Sequence, residues 1–220
     1  MNFEELLNYR RSVRRYSATP IDSEKVKQCL MQATLAPNSS NMQLWEFYHV
    51  TNPDKLKQLT AACLNQQAAA TAQQMVVFVT RQDLYRKRAA KMSELETLNV
   101  QQNSPKEKQE KRIKRWKLYY GTVMPFLYSR FLGIFGFFRK IMVIIIGLFR
   151  PITYQVSEND MRVVVHKTCA LAAQTFMLAM ANQGYDTCPL EGFDSKKVKR
   201  ILNLPLEAEV NMVIPCGIRD

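Results

Sequence analysis

The chain has 220 residues, of which 47% are apolar, so it is long enough to fold as one domain around a full hydrophobic core. Its 5 cysteines form no Cys-x-x-Cys pair, and its 2 histidines have no carboxylate or thiol at ligand spacing, which argues against a disulfide framework and a protein-bound zinc site. The formal net charge of +12 is uneven, because residues 100–150 hold 11 Lys or Arg and 2 Glu and leave only +3 for the rest of the chain.

Helices and strands alternate along the sequence, without a Rossmann G-x-G-x-x-G motif. Apolar residues three or four apart predict helices, and short β-branched runs predict strands. The predicted helices are Phe3 to about Arg11, Asp22 or Ser23 to about Ala36, a helix that opens at Asn52-Pro-Asp and runs through the Leu56–Gln67 region, 84–98, Asp160–Gln183 and Ser195–Leu202. The predicted strands are Trp45–Thr51, Met75–Thr80 and Val210–Pro215.

The segment between the helix at 84–98 and the helix at Asp160–Gln183 is the most individual part of the chain. Residues 104–116 are highly charged and predict a helix or a flexible arm, whereas residues 131–149 are strongly apolar. The apolar run approaches the ~20 residues that a membrane span needs. Arg139 and Lys140 lie at its centre, however, where each charge costs about 2.5–3.5 kcal/mol, so a spanning helix is disfavoured.

On a helical wheel the apolar run has one polar or small side and one broad apolar face. The residues on the first side are Gly136, Arg139, Lys140, Val143, Gly147 and Arg150. Two interpretations follow. The segment is a helix pair that packs over the active site or a dimer interface, or residues 104–150 lie on an anionic membrane surface. Nucleic-acid binding is not expected, because no recognition module accompanies the basic run.

Three further segments carry polar groups suited to ligand binding. Residues 10–16 (Arg-Arg-Ser-Val-Arg-Arg-Tyr) combine guanidinium groups with a hydroxyl, which suits a phosphate monoester, although a solvated basic face has the same composition. Residues 37–43 (Pro-Asn-Ser-Ser-Asn-Met-Gln) form a polar turn before a strand. Residues 188–194 (Cys-Pro-Leu-Glu-Gly-Phe-Asp) form a loop in which Gly192 permits close approach of backbone N–H groups to a planar ring.

In this order and at these separations, the three segments resemble the nitroreductase family of flavin enzymes over roughly residues 1–98 and 156–216. The resemblance implies an α+β fold with a central, mainly antiparallel sheet flanked by helices. It implies one nitroreductase-like domain over residues 1–220, with the basic and apolar helical insert at about 100–155 inside it. It also implies a homodimer with FMN bound at the subunit interface.

The resemblance further assigns cofactor-binding roles to matching positions. Those that hold the FMN phosphate and pyrimidine edge are Arg10, Arg11, Ser12 and Arg14. Those that reach FMN from the partner subunit are Pro37, Asn38, Ser39, Asn41 and Gln43. Those that lie against the flavin ring are Asn65, Pro189, Leu190, Glu191 and Gly192. The family often has a lysine where this chain has Ala68, and Arg219 is the one late candidate for the basic segment that completes the phosphate site.

The activity implied by the resemblance is an FMN-dependent oxidoreductase that uses NADH or NADPH to reduce nitroaromatics, quinones or similar small electron-poor acceptors in two half-reactions. Because flavin N5 carries the chemistry, no side chain is predicted to be catalytic and no metal is expected. Two alternatives remain: a specialised relative, such as a dehalogenase or flavin reductase, and a flavin-binding membrane-surface protein with low turnover. The expected location is the cytoplasm, at the inner face of the membrane if the insert binds lipid.

Overall fold

The computed structural model describes residues 1–220. Its helices are α1 (Phe3–Tyr9), α2 (Ser23–Ala33), α3 (Pro53–Ala62), α4 (Gln67–Ala70), α5 (Tyr85–Asn103), α6 (Lys106–Leu118), α7 (Met124–Tyr128), α8 (Ile134–Gly147), α9 (Glu158–Asn182) and α10 (Ser195–Ile201). Its strands are β1 (Trp45–Val50), β2 (Gln74–Thr80), β3 (Asp186–Thr187) and β4 (Glu209–Gly217). Short 3₁₀ turns occur at Ser39–Asn41 and Gln82–Leu84, and a π-helical turn at Tyr119–Val123 joins α6 to α7.

The four strands form one sheet in the order β1-β2-β4-β3, and every neighbouring pair is antiparallel. Strand β2 is central, with Val77 opposite Tyr48 of β1 and Val213 of β4. It is buried along its whole length, because both of its faces are covered, and this explains its continuous apolar run. The predicted α+β class with a mainly antiparallel sheet is confirmed.

The chain folds into two compact units. Unit 1 comprises residues 1–38, 45–81 and 167–220 and contains the sheet. Unit 2 comprises residues 39–44 and 82–166 and contains α5 to α8. Helix α9 begins in unit 2 and ends in unit 1. The sequence-based assignment of one domain over residues 1–220 with an insert at about 100–155 stays a prediction.

Unit 1 has hydrophobic clusters on both sides of the sheet. One cluster joins Val26 of α2 and Phe176 of α9 to Phe78 of β2. The other joins Leu59 of α3 and Val198 of α10 to the opposite face of the sheet. By length and composition α9 could cross a membrane, but its unit 1 half contributes completely buried residues to the first cluster. This half of α9 is therefore a core helix of the unit.

Unit 2 is built on a helical hairpin. Helix α5 packs against the continuous helix formed by α6, the π-helical turn and α7, with Met92, Tyr120 and Met124 in the core. The segment 39–44 packs into the same cluster through Met42 and Leu44. From Lys106 onward the charged segment 104–116 is helical (α6) rather than a flexible arm, and residues 131–149 contain a second helix, α8.

Candidate functional site

A cavity of about 480 Å³ lies in unit 1 between the basic N-terminal segment and the loop after β3. The residues that line it are Ser12, Arg14, Gln66, Gln67, Ala68, Cys188, Pro189, Leu190 and Glu191. Two of the three segments predicted to bind a cofactor therefore meet at one place. Five of the predicted residues line this cavity: Ser12, Arg14, Pro189, Leu190 and Glu191.

The loop 188–192 is held against β4 by backbone hydrogen bonds. The N–H of Leu190 donates to the carbonyl of Val213 at 2.8 Å, and the N–H of Val213 donates back at 3.1 Å. The Gln66 side-chain amide donates to the carbonyl of Gly192 at 2.7 Å. The backbone N–H groups of Glu191 and Gly192, by contrast, donate no hydrogen bond within the chain. The loop thus presents two solvent-exposed donors that have no partner within the chain, and one of them belongs to Glu191, which lines the cavity.

The basic segment is tied to β3, because the N–H of Val13 donates to the carbonyl of Thr187 at 3.2 Å. Its guanidinium groups fall into two classes. The first class has partners within the chain: Arg11 donates to the carbonyls of Leu7 and Arg10, and Arg15 forms an ion pair with Asp220 at 2.7 Å.

The other two guanidinium groups of the segment, those of Arg10 and Arg14, form no ion pair or hydrogen bond within the chain. Arg10 is half-buried where α1 ends, and Arg14 is exposed at the cavity. Because a phosphate takes charge-assisted hydrogen bonds from guanidinium groups, these two cations are the ones available to an anionic ligand.

The thiol of Cys188 lines the cavity and is buried. Burial raises the pKa of this thiol above its ordinary value, and the positive charge of Arg14 opposes that rise. The neutral thiol is therefore the dominant form near pH 7, and a neutral thiol is a poor nucleophile. Cys188 is better described as a packing residue of the cavity wall than as a reacting group.

The amides near the cavity differ from the sequence-based expectation. Asn65 is exposed in the turn after α3, with φ of +54°, and it does not line the cavity. Gln66, Gln67 and Ala68, which follow it, do line the cavity. The run Leu-Asn-Gln-Gln at residues 64–67 indicates an amide near the cavity, but the sequence does not show which of the three amide side chains faces the cavity.

The polar turn 37–43 does not contribute to the cavity of its own chain. Ser40, Asn41 and Gln43 have positive φ values of 53°, 50° and 46°, a conformation that costs non-glycine residues about 1 kcal/mol or more each. The turn is fixed in unit 2 by a hydrogen bond from the Tyr120 hydroxyl to the carbonyl of Ser40 at 3.0 Å.

The side chains of the turn partly bond among themselves. The Gln43 amide donates to the Asn41 side chain at 3.1 Å, and the Asn38 amide donates to the carbonyl of Ala36 at 3.4 Å. Pro37 is exposed and Ser39 is half-buried. The predicted set of Pro37, Asn38, Ser39, Asn41 and Gln43 thus forms a strained turn and lines no part of the cavity.

The remaining predicted residues take structural positions. Arg219 donates from its guanidinium and backbone N–H to Asp186, and its guanidinium lies over the Tyr9 ring at 4.4 Å. Arg219 does not line the cavity, and neither does Gly192, whose carbonyl accepts from Gln66. Whether these two residues touch a cofactor stays a prediction.

The cavity residues fit FMN in their chemistry. The Arg14 guanidinium, which has no partner within the chain, suits the phosphate, the side-chain amides of Gln66 and Gln67 suit polar ring edges, and the Glu191 N–H suits a ring acceptor atom; Arg10 and Gly192 lie outside the lining of the cavity. The volume of about 480 Å³ lies within the range of roughly 300–1,000 Å³ that is usual for small-molecule sites.

Comparison with known proteins gives a consistent result. The chain is 24% identical over 216 residues to a Bacillus subtilis protein named as the NAD(P)H nitroreductase MhqN, covering 98% of this chain and 87% of that protein. The crystal structure of the Bacillus subtilis nitroreductase YdfN superposes with a TM-score of 0.72 at 25% identity, covering 99% of this chain and 88% of that one.

A nitroreductase of Exiguobacterium sibiricum, solved in complex with FMN, superposes with a TM-score of 0.67 at 20% identity, over 100% of this chain and 89% of that one. This likeness concerns the fold alone. The sequence model of the nitroreductase family matches residues 7–218, nearly the whole chain. On this evidence, the chain belongs to the nitroreductase family.

Proposed function

We propose that this chain is an FMN-dependent oxidoreductase that uses NADH or NADPH to reduce nitroaromatics, quinones or similar electron-poor small molecules. The observation that carries the proposal is the cavity that joins Arg14 and Ser12 to a loop with two backbone N–H groups that have no partner within the chain. The naming of a relative as an NAD(P)H nitroreductase and the FMN complex of a structural neighbour support the same chemistry.

Bound FMN would supply two-electron transfer through its ring. The chain's own contribution is binding and electrostatics. The free guanidinium groups of Arg10 and Arg14 would hold the phosphate, and the Ser12 hydroxyl would accompany them. The N–H groups of Glu191 and Gly192 would stabilise negative charge that develops on the reduced ring. Gln66 keeps that backbone in place through the Gly192 carbonyl.

A homodimer is part of the proposal. The turn at residues 37–43 carries polar side chains and strained backbone, yet none of its residues lines the cavity of the same chain. Strained turns persist where the surrounding structure enforces them, and they cluster at binding sites. A turn of this kind that reaches the site of a second copy would account for both observations. We therefore infer that each FMN is bound by residues of two subunits.

The test is an absorbance spectrum of the purified protein, followed by anaerobic addition of NADH and then NADPH. Flavin bands that bleach on addition are the expected result, and the faster donor identifies the preferred nicotinamide. Replacing Arg10 or Arg14 by Ala should weaken FMN binding about tenfold or more, because each change removes a charge-assisted hydrogen bond worth about 1.5–3 kcal/mol.

Lys27→Ala is the matched control, because it removes one positive charge from an exposed pair with Glu24 on α2. It should leave FMN binding unchanged. Full FMN stoichiometry and unchanged affinity in both Arg10→Ala and Arg14→Ala would contradict the phosphate assignment. A protein that takes up no FMN at all would contradict the proposed function itself.

A second candidate is a flavin-binding protein with low turnover that works at a membrane surface in the cytoplasm. The observation that favours it is the exposed apolar face of α8. Rapid NAD(P)H oxidation with a simple quinone in the absence of lipid would exclude this candidate. Specialised acceptors, as used by a dehalogenase or a flavin reductase, are distinguished by steady-state rates with halogenated phenols and with free flavin.

A further inference from the structure

Helix α8 and the residues after it expose an unusually apolar surface in unit 2. Phe137 is 64% exposed, Phe138 is 61% exposed and Phe149 is 84% exposed. We call this surface the apolar face; its members are Phe135, Phe137, Phe138, Ile141, Met142, Ile144, Ile145, Leu148 and Phe149. Contiguous apolar surface of this kind on a folded protein marks a site of interaction with another molecule or a membrane.

The orientation of α8 is opposite to that of an ordinary amphipathic helix. Its buried residues are Gly136, Arg139 and Val143, so the side that carries a charge faces inward. The Arg139 side chain is completely buried, and its guanidinium donates to the carbonyls of Val156 at 2.7 Å and Phe126 at 2.7 Å. Arg139 also donates to the carbonyl of Ser129 at 2.9 Å. Burial of a cation is costly unless its donors are satisfied; backbone carbonyls accept from Nε and Nη1 here, while Nη2 has no hydrogen-bond partner.

The start of α8 is fixed on the same side. The Glu158 carboxylate accepts from the N–H groups of Phe131 and Gly133, both at 2.9 Å. Burial opposes the effect, but these backbone hydrogen bonds hold the pKa of Glu158 below its ordinary value. A Cβ at Gly136 would lie 2.6 Å from the backbone N of Glu158, so glycine permits this close approach. The apolar face therefore points outward because specific contacts hold the opposite side.

The charged residues near the apolar face indicate whether it binds a second copy of the chain or a membrane. The stretch that contains α8, residues 126–157, has 4 Lys or Arg and no Asp or Glu, and three of the cations, Arg130, Lys140 and Arg150, are not fully buried; Glu158 and Asp160 follow on the inward side. A second copy that docked through the same face would place two such cationic segments together, because a two-fold interface brings identical patches into contact. Like charges brought together across an interface oppose binding. An anionic bilayer offers the two complementary features together, apolar chains for the face and negative headgroups for its cations.

We propose that α8 lies in the interfacial layer of an anionic bilayer, with its apolar face towards the acyl chains and the surrounding Lys and Arg among the headgroups. Lys140 stands at the edge of the face; its side chain is half-exposed, and its Nζ lies 3.8 Å from the Asp160 carboxylate, which offsets part of its charge. Arg130 and Arg150 flank the helix. The binding is peripheral, because α8 has 14 residues and a span needs about 20. This property goes beyond the proposed redox function and does not depend on it.

The experiment is flotation of the full-length, FMN-loaded protein with two kinds of vesicle. One contains about 70% phosphatidylcholine and about 30% phosphatidylglycerol, and the other contains phosphatidylcholine alone. Flotation with the anionic vesicles, at least tenfold stronger than with the neutral ones and reduced by about 0.5 M NaCl, is the expected result. Ile145→Glu places a negative charge within the apolar face and should reduce flotation at least tenfold.

Leu206→Glu is the matched control, because it makes the same change at a residue that is 86% exposed in unit 1. It should float like the unaltered protein. Phe149→Glu, at an exposed residue beyond the end of α8, is a second variant if Ile145→Glu does not fold. The far-ultraviolet circular dichroism and the flavin spectrum report folding and cofactor content of each variant.

Two results would overturn the proposal. Absence of flotation with anionic vesicles is one, and equal flotation of the Ile145→Glu and Leu206→Glu variants is the other. The competing occupant of the apolar face is a second copy of the chain, and light scattering tests for it. If the unaltered protein does not bind vesicles and Ile145→Glu has a smaller particle mass than the unaltered protein, the face mediates contacts between copies. Reduction of the flavin by NADH or NADPH in the absence of vesicles tests the redox function separately.

Discussion

The guanidinium and the backbone N–H of Arg219 both donate to the carboxylate of Asp186, whose side chain is 1% exposed. Arg219 lies just after β4, and Asp186 lies in the two-residue strand β3 that precedes the loop at 188–192. This ion pair therefore anchors the strand from which the cavity loop begins. It also neutralises the negative charge of the Asp186 carboxylate, which is buried away from water.

Arg219→Ala is expected to destabilise the protein by about 2–4 kcal/mol, because it leaves a buried carboxylate without its cation. Asp186→Ala should cost less, since the Arg219 side chain is 41% exposed and can reach water. Urea unfolding of both variants and of the double variant measures the difference. A double variant no more stable than Arg219→Ala would show that the buried charge is not the cause.

The hydrogen bond from Gln66 to the Gly192 carbonyl has a testable consequence for cofactor binding. Gln66→Ala removes the donor and frees the loop, so FMN binding should weaken about three- to tenfold, as expected for a net hydrogen-bond contribution of about 1 kcal/mol. Fluorescence titration with FMN measures the change. Gln28→Ala on α2 is the control, because that residue is exposed and lies outside the cavity.

The buried thiols predict a loss of stability at alkaline pH. Burial raises the pKa of Cys29 and of Cys63 to about 11 and that of Cys169 to about 12. An unfolded thiol ionises near pH 8.5, so above about that pH the unfolded chain releases protons that the folded chain keeps. The stabilising contribution of these thiols is therefore complete below about pH 8.5 and is lost as pH rises towards about 11–12.

The measurement is urea unfolding under reducing conditions at pH 7, 8, 9 and 10. The free energy of unfolding should be nearly constant up to about pH 8 and should fall above it, with each thiol contributing at most about 1.4 kcal/mol per pH unit. The Cys169→Ala variant should show a shallower fall, whatever its stability at pH 7. The same slope in that variant and in the unaltered protein would contradict the assignment to buried thiols.

The elements that could be predicted from the sequence are those with a strong local pattern. Strand β2 and helix α9 followed from a continuous apolar run and a long helical spacing. Helix α4 and strand β3 were not predicted, because they have four and two residues and no local period. Strand β3 exists through its pairing with β4, which is a contact between distant parts of the chain.

The candidate site was predictable where a motif fixes residue types. Ser12, Arg14 and the loop 189–191 line the cavity, whereas Asn65 does not, and the contact of each of them with FMN stays a prediction. The turn after α3 places both Leu64 and Asn65 at positive φ, 58° and 54°, and the residues that follow it, Gln66 and Gln67, line the cavity. Leucine rarely adopts that conformation, so the residue types give no sign of it.

The orientation of α8 in the apolar insert also could not be predicted from the sequence alone. Of the six residues that the wheel grouped on one side, Gly136, Arg139 and Val143 are buried and Gly147 is half-buried, whereas Lys140 and Arg150 are exposed. The sequence did not show that the Arg139 side chain is buried against the protein while its neighbour Lys140 stays exposed. That result depends on the carbonyls of Phe126, Ser129 and Val156, which gather around Arg139 only in the folded chain.

Arg139 is consequently the residue whose replacement should most disturb unit 2. Arg139→Ala leaves the three carbonyls without their donor and opens a cavity, so a loss of about 3 kcal/mol or more is expected. Arg139→Lys restores the positive charge but lacks the planar set of guanidinium N–H donors. It should therefore recover only part of the lost stability. Hydrogen exchange of the amides in α8 measures the effect locally. Protection in Arg139→Ala equal to that of the unaltered protein would show that α8 is held by its other contacts, those of Glu158 and Gly136.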